Sequence, residues 1–156
     1  MPSIPSPKQS ILLIEDSPED AEATRRSFRK SGLLNPIVHY ENGDDALTYL
    51  LGLASHPTDS ATSSLPGMIL LDLNLPGTHG QEVLLTIKSD PHLRKIPVIV
   101  LTTSSDERDI ESCYHRGANS YIVKPVETDG LLKAISRLKE YWFEVVVLPK
   151  ADSDPF

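Results

Sequence analysis

Five short apolar runs, Ile11–Ile14, Ile37–Tyr40, Met68–Leu71, Pro97–Leu101 and Tyr121–Val123, recur along the chain with segments of helical spacing between them. Runs of three to five apolar residues read as strands, and strands apolar on both faces need cover on both sides. The rhythm predicts βα repeated five times, which makes an α/β domain with a mainly parallel five-stranded sheet. Right-handed crossovers then place helices on both faces, as in doubly wound sheets with strand order 2-1-3-4-5. No repeat is visible beyond the βα rhythm itself.

The intervening segments carry their own start and stop signals. In the first, Ser17 can cap, Pro18 fits the opening turn, Glu19 and Asp20 suit the positive helix end, and Gly32 supplies a stop. Ala21, Thr24 and Phe28 mark its buried face. Asn42 or Asp44 can open a second helix carrying Ala46, Leu47 and Leu50. Val83, Leu84 and Ile87 belong to a third that ends near Asp90-Pro91, and Ile110, Cys113 and Tyr114 to a fourth that stops at Gly117. Leu131, Ile135, Leu138 and Trp142 recur at i, i+4, i+7 and i+11 in the last. Gly52 to Gly67, rich in Ser, Thr and Pro, reads as a long surface loop.

At 156 residues the chain can bury one core, and the expected division is a flexible leader over 1–9, one domain over 10–142 and an extension over 143–156. The leader is rich in Pro and Ser and lacks a signal-peptide core, and no apolar run approaches the roughly 18 residues of a membrane span. A cytoplasmic protein without a membrane partner is expected. Cys113 is the single cysteine, which leaves no internal disulfide and no multi-cysteine zinc site. With 15 basic and 22 acidic residues the net charge is −7, which repels a phosphate backbone, so nucleic acid is not an expected partner.

The C-terminal ends of parallel strands share one edge, where ligands bind. Glu15 and Asp16 follow the first run directly, and Asp72 follows the third; in the expected order these strands are neighbours, roughly 5 Å apart. Taken singly, each acid reads equally well as a helix cap or turn former. Yet Ser17-Pro18 already caps the first helix, and other turn residues follow Asp72. Clustered carboxylates repel unless one takes a proton or a cation joins them. Hard oxygen ligands without an organised His or Cys set point to Mg²⁺, with Mn²⁺ or Ca²⁺ able to stand in its place. At the same edge the fourth run ends at Thr102 and the fifth leads to Lys124-Pro125. Thr102 alone reads as a cap and Lys124 alone as a surface lysine; together with the acids they outline a site for a phosphoryl group on Asp72. A nucleophilic carboxylate at the end of a buried strand is held on a rigid element.

These residues resemble the receiver domain of two-component response regulators over about residues 10–142. The matching pieces are Glu15-Asp16, Asp72-Leu-Asn-Leu-Pro76 with Gly80, Thr102, Gly117-Ala118 and Lys124-Pro125. The resemblance implies a flavodoxin-like three-layer (βα)5 sandwich. It implies Mg²⁺ held by Asp16, Asp72 and the backbone carbonyl of Asn74, with Glu15 helping through water. Asp72 would take a phosphoryl group from a phosphohistidine on a sensor histidine kinase, and a cis bond is expected at Lys124-Pro125. Phosphorylation would draw Thr102 toward the new oxygens and let Tyr121 turn inward, shifting a pre-existing equilibrium in the face made by the fourth helix, fifth strand and fifth helix. Tyr121 also reads as a half-buried strand aromatic. The protein is expected to signal by protein contacts and not to be an enzyme, beyond assisting its own phosphorylation and dephosphorylation.

Fourteen residues follow Trp142, so the receiver is expected to stand alone. Glu140-Tyr-Trp-Phe143 with Val145-Val-Val-Leu148-Pro149 resembles the extended C-termini of single-domain receivers paired with bacterial phytochrome kinases, which implies a phytochrome partner. Aromatic and β-branched residues beyond a last helix either pack on their own domain or cross to another chain, and a homodimer through the last helix and the extension is the expectation.

Rival readings exist. Aspartyl-phosphate phosphatases also place a nucleophilic Asp after a parallel strand, but they follow it two residues later with a second acid, and that position is Asn74. No Gly-x-x-x-x-Gly-Lys loop is present for a nucleotide enzyme. An adaptor using the fold without chemistry has no need of Asp72, Thr102 and Lys124 together. His39, His56, His79, His92 and His115 lack ligand spacing and read as surface or loop residues. Cys113 reads as core, and Lys88, Arg94 and Lys95 as solvated charges.

Overall fold

The computed structural model describes residues 9–55, 65–125 and 128–141. Strands β1 (Ile11–Ile14), β2 (Ile37–Tyr40), β3 (Met68–Leu71), β4 (Val98–Thr102) and β5 (Ser120–Val123) alternate with helices α1 (Pro18–Lys30), α2 (Gly43–Ala54), α3 (Gly80–Ser89), α4 (Glu107–His115) and α5 (Thr128–Lys139). All neighbouring strands are parallel, in the order β2-β1-β3-β4-β5. This is the expected doubly wound sheet. The fourth strand starts one residue later than the apolar run and takes in Thr102, while the Pro97 carbonyl still accepts from Ile69 at 2.9 Å.

The core divides by strand parity. Leu12, Ile14, Ile69, Leu71, Val98 and Val100 pack toward α2 and α3, against Ala46, Leu50, Val83, Leu84 and Ile87. Ile11, Leu13, Met68, Leu70 and Ile99 face the other way, onto Phe28 of α1 and Ile135 and Leu138 of α5. Each of these large aliphatic side chains contributes about 1.5–3 kcal/mol on burial, so the three central strands are rigid supports for whatever their ends carry.

Caps behave as their chemistry requires. Ser17 caps α1 and Asn42, not Asp44, caps α2, each side chain accepting from the backbone N–H three residues on. Gly32, at φ +87°, ends α1 as expected. The loop expected from Gly52 begins later, because α2 runs on to Ala54: Leu50 and Ala54 lie on its buried stripe, and Gly52 faces open space, where lacking a side chain costs only helix propensity. On α4 Cys113 is buried, as expected, while Tyr114 is 48% exposed. The Lys124–Pro125 bond is not cis; no cis peptide bond occurs among the described residues, and trans is the intrinsically favoured X-Pro form. Residues 1–8 of the expected 1–9 leader, the centre of the 52–67 loop at 56–64, and Trp142 with the 143–156 extension lie outside the described residues. No helix among the described residues is long and apolar enough to cross a membrane.

Candidate functional site

Strand pairing brings the predicted residues to one edge. Glu15 leaves β1 with its N–H donating to Tyr40 at 3.0 Å, and Asp72 leaves β3 with its N–H donating to Ile14 at 3.0 Å. The Lys124 N–H extends the β4–β5 ladder onto the Thr102 carbonyl at 2.7 Å. Glu15, Asp72 and Thr102 are only 2%, 6% and 0% exposed, although all are polar, while Asp16 faces solvent.

One carboxylate oxygen from each of Glu15, Asp16 and Asp72 lies within 4.8 Å of the others. The Lys124 ammonium sits among the acids, 2.6 Å from Glu15 Oε1, 3.1 Å from Asp72 Oδ2 and 2.9 Å from Asp20 Oδ2. Burial works against its charge, but the hydrogen bonds to Glu15 and Asp20 outweigh that and hold it firmly protonated. Glu15 is pushed up to about 7, first by burial and also by the Asp72 charge, with Lys124 pulling the other way. A single ammonium therefore leaves the acids undercompensated. Convergent carboxylate oxygens with one protonation-frustrated member fit a hard divalent ion.

Asp72 uses both oxygens: Oδ2 takes Lys124, and Oδ1 accepts the Asn74 N–H at 3.2 Å, which fixes the turn after β3. That turn is also set by Gly80. A Cβ there would lie 2.5 Å from the Asp72 carbonyl oxygen and from Leu73 Cα, so α3 starts against the strand end only because residue 80 has no side chain. Gly77 adopts φ +73° in the same connection.

The Thr102 hydroxyl oxygen is the one buried side-chain polar atom without a hydrogen-bond partner among the described residues. An orphaned buried hydroxyl costs about 1–3 kcal/mol, a cost that calls for a functional reason. Beyond it, Tyr121 is half-buried and its hydroxyl donates to the Ser104 carbonyl at 2.9 Å. Burial raises this phenol above its ordinary value. Ser104 Oγ donates to Asp109 at 2.7 Å, Gln81 Nε2 donates to the other Asp109 oxygen at 3.2 Å, and Gln81 Oε1 accepts from Ser112 at 2.7 Å and Arg116 at 3.1 Å. A polar chain thus joins the loop after Thr102 to α3 and α4.

Sequence reasoning missed Asp20 as a partner of Lys124 and missed the Gln81 network. The spacing of Asp109 and Ser112 on α4 and of Arg116 at its C-cap is a usable signal; Asp20 has none beyond its place in a first turn. Lys88, read as a solvated charge, is half-buried and donates to the carbonyls of Arg94 at 2.9 Å and Ile96 at 2.7 Å and to Asn119 Oδ1 at 3.1 Å. Desolvation lowers it to about 8. Two histidines have defined structural roles: His39 Nε2 lies 2.8 Å from the Glu15 carbonyl, and His79 Nδ1 caps α3.

Comparison with known proteins agrees with this geometry. Residues 11–136 match the response regulator receiver domain family, and the chain belongs to it. It is 36% identical to the response regulator Rcp1 of Synechocystis sp. over 146 residues, 94% of this chain and 97% of that protein. It is 40% identical over 132 residues to the probable methanogenesis regulatory protein FilR2 of Methanothrix harundinacea, 85% of this chain and 82% of that one. The crystal structure of phosphorylated RcpA, a cyanobacterial phytochrome response regulator, superposes with a TM-score of 0.81 at 36% identity, covering 92% of this chain and 99% of the other. The manganese-bound form of Rcp1 superposes with a TM-score of 0.78 at 35% identity, over 90% of this chain and 99% of that one. The protein is thus a phosphoacceptor receiver domain of response-regulator type, related to Rcp1 and RcpA, with an acidic pocket suited to a divalent ion.

Proposed function

We propose that Asp72 accepts a phosphoryl group from the phosphohistidine of a phytochrome-type sensor histidine kinase, and that the chain signals by the contacts this changes. The observation that carries the reading is the orphaned Thr102 hydroxyl at the same sheet edge as Asp72 and the Lys124 ammonium. In the reaction an Asp72 oxygen forms the new P–O bond as the P–N bond breaks, and the electron pair returns to the imidazole. Lys124 gives an N–H to a phosphoryl oxygen, and the Thr102 hydroxyl donates to another, gaining the partner it lacks. Mg²⁺, with Mn²⁺ or Ca²⁺ as stand-ins, would be held by Asp16, Asp72 and the Asn74 carbonyl, with Glu15 through water, and supplies neutralisation of the phosphoryl oxygens. The manganese-bound Rcp1 structure supports a divalent ion of this kind.

The aspartyl phosphate adds about −1.5 to −2 units of charge and three acceptor oxygens beside Thr102. Movement of Thr102 would be felt by Ser104, two residues on, and so by Tyr121 and α4. No catalytic turnover of external substrates belongs to this reading, which is that of a cytoplasmic signalling protein, homodimeric through the end of α5 and the segment after it. The phytochrome assignment rests on the near end-to-end match with RcpA.

Acetyl phosphate with Mg²⁺ and intact-protein mass spectrometry test the chemistry. One labile phosphoryl adduct is expected on the protein and none on Asp72→Asn; no adduct on either favours a non-catalytic adaptor. Light scattering on the full chain and on one ending at Trp142 tests the dimer, which is discredited if both give the monomer mass.

A further inference from the structure

Lys124 has three N–H donors, and the structure gives each a carboxylate: Glu15 at 2.6 Å, Asp20 at 2.9 Å and Asp72 at 3.1 Å. Two of these acceptors have other work. Glu15 and Asp72 belong to the oxygen cluster that suits a divalent ion, and Asp72 is the group to be phosphorylated in the reading above. Of the three acceptors, Asp20 alone has no place in that cluster.

The local structure shows why Asp20 is available. It is the third residue of α1 after the Ser17 cap, and an acid there ordinarily reaches back to the cap's own N–H. Here the Ser17 N–H is taken by Glu15 Oε2 at 3.2 Å, so the Asp20 carboxylate is released to face Lys124. Its backbone is fixed on both sides: its N–H donates to Ser17 Oγ at 3.2 Å, and its carbonyl accepts the Thr24 hydroxyl at 2.9 Å. A carboxylate on a rigid first turn is a good tether for a lysine, whose four-carbon stem is flexible and costly to order.

We propose that Asp20 is a positioning residue for phosphoryl transfer: it holds the third N–H of Lys124, so that the ammonium stays over the pocket while its bonds to Glu15 and Asp72 are exchanged for a bond to a phosphoryl oxygen. The inference rests on the phosphoacceptor reading of Asp72. It assigns α1 a part in the reaction beyond carrying a cap, and it explains why a half-exposed acid pairs with a lysine whose side chain is only 11% exposed. Small displacements of a positioned charge carry large rate effects, which sets the size of the expected loss.

The test uses the full chain, its Asp20→Ala and Asp20→Asn variants, and acetyl phosphate as donor. Asp20→Asn keeps the side-chain volume and one acceptor oxygen, and guards against a variant that merely unfolds the start of α1. Two readouts are needed. The first is the phosphorylation rate constant at saturating Mg²⁺ and saturating acetyl phosphate, separated from the half-saturation values. For Asp20→Ala the saturated rate is expected to fall on the order of tenfold, and for Asp20→Asn by less. A charge acting only through its field on cation binding would raise the Mg²⁺ half-saturation and leave the saturated rate intact. The second is ¹³C relaxation of the Lys124 ε-methylene in metal-free protein, where Asp20→Ala is expected to lower the order parameter. A saturated rate within twofold of the parent, or an unchanged Lys124 order parameter, overturns the inference. If the parent protein itself takes up no phosphoryl group, the phosphoacceptor reading fails instead, and the relaxation measurement still decides whether Asp20 holds Lys124.

Discussion

The Tyr121 hydroxyl donates to the Ser104 carbonyl at 2.9 Å, and so ties the fifth strand to the loop that leaves Thr102. Through Ser104 Oγ, that loop is tied in turn to Asp109 and Gln81. Gln81 is the hub, since its amide serves Asp109, Ser112 and Arg116 at once. Gln81→Ala removes one partner from each of these groups at a half-buried seam, leaving Asp109 with Ser104 and Ser112 with Arg116. It is expected to destabilise the protein by about 1–3 kcal/mol and to speed amide hydrogen exchange in α4 more than in α1. Exchange raised equally in both helices would show that Gln81 has no special hold on α4.

Thr102 gives an opposite expectation for stability and for response. Its hydroxyl is buried without a partner, so Thr102→Val, which replaces it by a methyl of similar shape, removes an unsatisfied group. In metal-free, unphosphorylated protein the variant is expected to be as stable as the parent or up to about 2 kcal/mol more stable in urea unfolding. The same variant should still accept a phosphoryl group at Asp72 while showing smaller NMR shift changes at Ser104 and Tyr121. A clear loss of stability would mean that the hydroxyl already has a partner in the resting protein, and would remove the main support for its role.

What the sequence revealed and what it hid divide along one physical line. The strands β1, β3 and β4 are buried on both faces, so their unbroken apolar runs stand out, and handedness of the crossovers then leaves little choice of order. The C-terminal ends of parallel strands share an edge, so Glu15, Asp16, Asp72 and Thr102 group from the sequence alone, joined by Lys124 at the end of the fifth strand. Asp20 could not be grouped with them, because its partner lies 104 positions away and its nearer explanation, a helix dipole, was sufficient. Lys88 failed similarly: it follows the buried Ile87 on α3, yet its ammonium reaches carbonyls near the start of β4 and Asn119, 31 residues on. Long polar side chains report their neighbourhood only after the backbone has been placed. The Lys124–Pro125 geometry was an inference from family resemblance alone, with no residue pattern behind it.

Gly80 carries a steric expectation. A Cβ at this position would meet backbone atoms of Asp72 and Leu73 at 2.5 Å, and backbone cannot step aside as a flexible side chain can. Gly80→Ala must push the start of α3 off the end of β3. The cost expected from overpacking is about 1–3 kcal/mol, read as a lowered urea midpoint. The Asn74 N–H should lose its bond to Asp72 in the process, so phosphoryl uptake should slow as well. A variant with the parent's midpoint and the parent's uptake would show that the close approach has no consequence.

Glu15 sets a pH dependence whose sign is opposite to that of most carboxylates. In the metal-free fold, burial, reinforced by the Asp72 charge and opposed by Lys124, raises it from an ordinary 4.5 to about 7. An acid raised in this way takes up its proton in the folded state first. Its contribution to stability is therefore fully present below about 4.5 and is lost as pH rises through about 7. The quantity to follow is the difference in unfolding free energy between the parent and Glu15→Gln in the presence of a chelator, which isolates the contribution of this one group. That difference should shift against the parent as pH rises from 5 toward 8, the Gln side chain having no proton to lose. A divalent ion needs the ionised form, so Mg²⁺ binding near pH 6.5 should release protons, detectable as calorimetric heats that differ between buffers of unlike ionisation enthalpy. A difference that stays flat across this range would mean that Glu15 is ionised throughout, with Lys124 alone compensating its burial.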